Sequence, residues 1–197
     1  MKCILQPYFK NVQTINNFIR AETTKEAEKR EYFLYAGVLE KHKGVLNLVK
    51  AFSHTDKRIL LAGTGSEYEN IKKIKTNNVE LLGWTDHAQL LCLMNKAKAL
   101  ILPSLWLENN PLVALEAFSV GTPAIGSNTG GIPEIIAAVD PALIFEKDDV
   151  VQLTNIINNF DSKKYDRNRI KEIYEKNFSQ QIFMKKYLDV IKDAQTL

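Results

Sequence analysis

The chain has 197 residues, 45% of them hydrophobic and 25% charged, with a formal net charge of +3. Such a composition can bury a core, which excludes a disordered polypeptide, and so small a net charge gives no sign of the clustered basic face that nucleic acid needs. The two cysteines, Cys3 and Cys92, form neither a spaced metal motif nor a disulfide framework, as in a reducing compartment.

Residues 1–31 stand apart from the rest. No apolar run follows Met1 and Lys2, so no signal peptide is expected. Val12 to Asn16, VQTIN, has the composition of one strand. Arg20 to Glu31, RAETTKEAEKRE, is almost wholly polar and reads as a linker.

From residue 32 the punctuation is regular. Apolar runs ending in Gly, Pro or Ser occur at Tyr32 to Gly37, Arg58 to Gly63 and Val79 to Gly83, then at Ala99 to Pro103, Pro123 to Gly126 and Ala142 to Phe145. Unbroken apolarity marks strands covered on both faces. Helical patterns lie between them, at Gly44 to Phe52, Glu67 to Lys75, His87 to Lys96, Pro111 to Val120 and Ile132 to Ala138. Two more, around Val150 to Phe160 and Ser179 to Ala194, close the chain. Such βα repeats predict an α/β fold: a Rossmann-like parallel sheet of about six strands with helices on both faces. The longest apolar stretch, Ala97 to Leu107, is broken by Lys98, Pro103 and Ser104 and is too short to span a bilayer.

In an open α/β sheet ligands bind at the carboxyl ends of the strands. The first such loop, GVLEKHKG from Gly37 to Gly44, sets Lys43 just before a helix start, where backbone N–H groups favour an anion; an exposed basic turn accounts for it equally. AGTGS, Ala62 to Ser66, lacks a complete G-x-G-x-x-G because Tyr68 takes the last position, which disfavours a nicotinamide dinucleotide. LWLENNPLVALEA, Leu105 to Ala117, carries the most. Asn110 is read as the N-cap and Pro111 as the first helical residue, leaving the N–H groups of Leu112 and Val113 to meet an anion. Glu108 precedes that helix and Glu116 lies one turn beyond Leu112 on the same face. The pair would grip hydroxyls while the helix end grips phosphate; the plainer alternative is a dipole partner and a solvated helix residue.

Glu108 and Glu116, spaced E-x7-E inside PSLWLENNPLVALEAFSVGTPAIGSNTGGIPEII, resemble the signature of glycosyltransferase family 4, the retaining group 1 transferases of GT-B fold. GVLEKHKG is similar to that family's phosphate loop, AGTGSEYENI to its second glycine turn and VELLGW to its base-flanking turn. ALIFEKDDV is similar to its last strand, and the likeness runs in order from residue 32 to about 160. The resemblance implies a carboxy-terminal donor-binding domain. Glu108 would bond sugar hydroxyls, Lys43 would neutralise the diphosphate with the N–H groups of Leu112 and Val113, and both would be catalytic. Glu116 would bond the ribose, Gly83 and Trp84 would flank the base, and Gly37 and Asn110 would complete the donor site. No D-x-D triplet occurs, so neither a metal nor another cofactor is expected. The sequence departs from the family at Val38, where an arginine is usual.

The division expected is residues 1–31 as the remnant of an amino-terminal domain and linker, 32–178 as the nucleotide-sugar-binding domain and 179–197 as a closing helix. The reading implied is transfer of a hexose from a UDP- or GDP-sugar to a glycan or lipid-linked acceptor. A nucleotide-sugar-binding module inactive without a missing Rossmann-like domain or subunit is one alternative, and a sugar-nucleotide epimerase of GT-B fold another. The expected location is cytoplasmic, with peripheral attachment at the inner membrane face left open.

Overall fold

The computed structural model describes residues 14–19 and 30–195. Six strands form one sheet: β1 (Tyr32–Ala36), β2 (Ile59–Ala62), β3 (Val79–Gly83), β4 (Ala97–Leu102), β5 (Ala124–Ser127) and β6 (Ile144–Phe145). Their order is β3-β2-β1-β4-β5-β6 and every neighbouring pair is parallel. The helices are α1 (Val45–Phe52), α2 (Tyr68–Ile74), α3 (His87–Lys96), α4 (Leu112–Ser119), α5 (Ile132–Ile136), α6 (Val150–Asn159), α7 (Arg167–Phe178) and α8 (Gln180–Gln195). Helix α1 packs with α2 and α6, while α4 packs with α3 and α7, so both faces of the sheet are covered. The expected α/β architecture is the one found.

Burial explains the layering. Every residue of β1, β2 and β5 is buried. Phe33 of β1 meets Phe52 of α1 and Phe160 beyond α6 edge-on, at 5.7 and 5.4 Å between ring centroids. Each such side chain contributes about 1.5–3 kcal/mol by leaving water. The strand order reverses between β1 and β4, which opens a crevice at their carboxyl ends.

Several expectations need correction. The strand expected at Val12 to Asn16 lies partly outside the described residues, and Thr14 to Asn16 form no strand. The end of the expected linker is anchored rather than loose. Arg30 donates through Nη1 to the carbonyls of Ser162 and Tyr165, at 2.7 and 2.8 Å, and through Nη2 to that of Gly121, at 2.9 Å. The last strand shrinks to two residues, because Asp140 caps a 3-10 turn over Pro141–Leu143. Helix α7 is an addition, burying Ile170, Tyr174 and Phe178 on one stripe. No helix among the described residues is long and apolar enough to cross a membrane.

Candidate functional site

Two loops meet in the crevice between β1 and β4. The first, Gly37 to Gly44, is held down by the loop after β2: Leu39 N–H donates to Thr64 O at 2.8 Å, and Glu40 accepts from Ser66 Oγ at 2.7 Å and from Ser66 N–H at 3.0 Å. Those hydrogen bonds hold the Glu40 carboxyl below its ordinary pKa. Lys41–Lys43 then form a 3-10 turn, and Gly44 in the left-handed region opens α1. A Cβ at Gly44 would stand 1.9 Å from Pro103 O. Only glycine lets the start of α1 lie against the end of β4.

The second loop runs from Pro103 to Pro111. Its start is fixed by Leu105 N–H donating to His42 O at 2.9 Å and by Ser127 Oγ donating to Ser104 O at 2.7 Å. Its far end rests on a glycine pair. Gly131 N–H donates to Glu108 O at 2.6 Å, and a Cβ at Gly131 would stand 2.1 Å from Asn109 O. The expected cap is corrected here. Pro111 (φ −67°, ψ 104°) is the N-cap of α4, with no side-chain cap bond, and α4 starts at Leu112. The extended ψ of Pro111 keeps it out of the helix, so Asn110 lies one residue before the cap and donates through Nδ2 to Asn16 Oδ1 at 3.2 Å. The first N–H groups of α4, those of Leu112 and Val113, have no partner within the helix.

The loops bring Lys43 Nζ within 2.5 Å of Glu108 Oε1, an oxygen that also accepts from Ser104 Oγ at 3.1 Å. Beside the pair lies a cavity of about 410 Å³, lined by Gly37, Val38, Lys43, Glu108, Asn110, Leu112 and Val113 among others. Tyr35 forms part of its wall; burial, and then the Glu108 carboxylate, push its phenol well above the ordinary tyrosine value. The hydroxyl stays protonated and donates to Val38 O at 2.7 Å, bracing the first loop.

The remaining expected residues lie farther out. Glu116, with a side chain 19% exposed, points to His87 at the start of α3, Oε1 to Nε2 3.3 Å. Gly83 ends β3 in the left-handed region, and its carbonyl accepts from Gly63 N–H at 2.7 Å. The Trp84 side chain is 77% exposed and lines a separate groove with Arg58, Gln89 and Cys92. Five expected residues thus share the cavity with Lys43: Gly37, Glu108, Asn110, Leu112 and Val113. Glu116, Gly83 and Trp84 are outside its lining. Ser104, Tyr35, His87 and the Gly130–Gly131 pair were not anticipated as site residues; Ser104 and Tyr35 bond partners only four and three residues away, whereas His87 and the glycines meet parts of the chain too distant for spacing to reveal. Among the described residues no cluster of three His, Cys, Asp or Glu side chains could hold a metal ion.

A lysine, a run of free helix N–H groups and a carboxylate around one crevice suit an anion joined to a polyhydroxyl group. The family description "Glycosyl transferases group 1" matches residues 17–177. The chain belongs to that family. This member of the group 1 family is 36% identical to the glycogen synthase of Mycobacterium tuberculosis over 113 residues, covering 52% of this chain and 27% of that protein. It is 29% identical over 213 residues to the N-acetyl-alpha-D-glucosaminyl L-malate synthase of Bacillus anthracis, covering 93% and 55%. Among solved structures, the apo lipopolysaccharide outer core galactosyltransferase WaaB superposes with a TM-score of 0.79 at 21% identity, over 96% of this chain and 58% of that one. Anabaena Alr3699/HepE in complex with UDP gives 0.67 at 17%, over 83% and 49%. The group 1 family member described here thus shares the fold of these structures, and it spans between about a quarter and just over half of the length of these two curated relatives.

Proposed function

We propose that the chain is the donor-binding half of a retaining glycosyltransferase of family 4 type that takes a UDP- or GDP-sugar. The observation that carries this reading is the convergence of Lys43, Glu108 and the start of α4 on one cavity at the β1/β4 crevice. The diphosphate would lie over the N–H groups of Leu112 and Val113, with Lys43 as its counter-charge. Glu108 would bond hexose hydroxyls, and Glu116, one turn along α4, the ribose. Gly83 and Trp84 would flank the base through their backbone. Gly37 would let the chain pass close to the phosphates, and Asn110 would shape the rim. UDP in the HepE structure and transferase names among the relatives support a nucleoside diphosphate sugar as donor.

In the reaction, the bond from the sugar's anomeric carbon to the diphosphate oxygen breaks and a bond to the acceptor hydroxyl forms on the same face. The hydroxyl proton passes to the departing diphosphate. Preset donors stabilise the charge growing on that leaving group without reorganising. The acceptor would be a glycan or a lipid-linked sugar, and a partner Rossmann-like domain or subunit would present it. No resident metal or cofactor enters this scheme, and the protein would work in the cytoplasm.

Binding to the folded state raises stability as the logarithm of ligand over Kd, so thermal unfolding with UDP, GDP and ADP tests the donor site. The expected result is a shift with one nucleotide that Lys43→Ala and Glu116→Ala both diminish. Absence of any shift would remove the reading. A second reading, a donor-binding module without turnover of its own, is favoured by Val38. That side chain is 51% exposed on the cavity wall where the resembled family carries an arginine. Release of nucleotide from a donor sugar separates the two.

A further inference from the structure

We infer that His87 is a positioning residue for Glu116 and, through it, sets a preference for ribonucleotides over deoxyribonucleotides. The inference rests on the donor-site reading above and adds a residue to it.

Glu116 is the fifth residue of α4, and side chains on a helix tilt toward its amino terminus. Its carboxylate is therefore carried back toward the ligand edge of the sheet. Helix α3 begins at that same edge, directly after β3, and its start is pinned by the Asp86 carboxylate accepting from Gln89 N–H at 2.8 Å. His87, the first residue of α3, therefore sits beside the fifth residue of α4, and Nε2 meets Oε1 at 3.3 Å.

The two side chains differ in what they can do alone. Glutamate has three rotatable bonds, and ordering it costs conformational entropy. A carboxylate that already spends one oxygen on an imidazole has its second oxygen oriented before ligand arrives, and its lone pairs can still accept from a diol. An imidazole nitrogen bearing a proton donates to Oε1 in the suitable neutral tautomer or in the cation, so the bond does not need a charged histidine. Glu116 is mostly covered, whereas the His87 side chain is 52% exposed. The histidine thus contributes little to the core, and its Nε2 lies within hydrogen-bond reach of the carboxylate.

The test compares UDP and GDP with their 2′-deoxy forms on wild type, His87→Ala and His87→Gln, by calorimetric titration of the full chain. His87→Ala is expected to weaken the ribonucleotide about tenfold, the scale of one hydrogen bond to a charged group, and to leave the deoxy form nearly as before. His87→Gln, which keeps an N–H donor, restores the preference. Equal loss for ribo and deoxy forms, or no loss for either, would overturn the positioning role. If no nucleotide binds wild type, the donor-site reading itself falls and takes this inference with it.

Discussion

Lys43 Nζ and Glu108 Oε1 lie 2.5 Å apart although 65 residues separate them in the chain. One follows β1 and the other follows β4, so the contact spans the point where the strand order reverses. Both side chains keep about a quarter of their surface in water, 28% and 22%. A pair so exposed contributes about 0–1 kcal/mol to stability; its use is to hold a cation and a carboxylate at one cavity until ligand separates their tasks.

Lys43→Ala should therefore fold with a thermal midpoint close to wild type and lose about tenfold in nucleoside diphosphate affinity, one charge-assisted contact. Glu108→Gln should bind the bare diphosphate about as well as wild type but turn over the sugar donor far more slowly. Titration with the diphosphate and donor-turnover assays separate these effects; parallel losses in both variants would contradict the division of labour.

Gly131→Ala tests the support beneath Glu108. The new methyl would meet Asn109 O at 2.1 Å, a rigid backbone atom, so the loop must move. Overpacking of this kind costs about 1–3 kcal/mol, read as a lower urea midpoint, and displaces Glu108 from Lys43. Activity should fall further than stability alone accounts for at a temperature where the variant is folded.

How far the site was legible follows from the range of the forces. Strands β1 to β3 are announced by apolar runs flanked by turn residues, and Leu112 with Val113 by the proline before them. Helix α7 carried a signal that was passed over: Ile170, Tyr174 and Phe178 recur every four residues, with Ile173 beside them, in a stretch whose other residues are polar. The cap falls at Pro111 rather than Asn110 because Pro111 itself is extended and the Asn110 side chain bonds Asn16 instead of the helix, a contact that spacing does not announce. His87 beside Glu116 and Gly131 beneath Asn109 could not be read from spacing, since tertiary packing alone creates those contacts.

Alkaline pH should destabilise the fold through its tyrosines. Burial, the leading cause in each case, raises the phenols of Tyr32 and Tyr174 to about 12, and those of Tyr35 and Tyr165 higher still. Unfolded tyrosine titrates near 10. With the folded pKa above the unfolded one, this stabilisation is full below about pH 10 and is lost as pH rises toward the folded values. Urea midpoints taken from pH 9 to 11.5 should fall, and the slope should flatten in Tyr165→Phe, which removes a hydroxyl donating to Asp140 Oδ2 at 2.9 Å. A flat profile would mean that these hydroxyls ionise freely in the fold.

Val38→Arg should tighten diphosphate binding. The side chain is half exposed and lines the cavity next to Lys43, so a guanidinium placed there reaches the anion without entering the core. Arginine suits the task because its planar fork meets phosphate oxygens two at a time. Repulsion from Lys43 is limited in the free protein, since Glu108 already neutralises that ammonium. The expected gain is about tenfold or more in affinity for the diphosphate, with stronger salt dependence as befits an exposed charge. Titration at low and high salt measures both. Unchanged affinity would place the diphosphate away from the loop after β1 and move the donor site out of the cavity assigned to it.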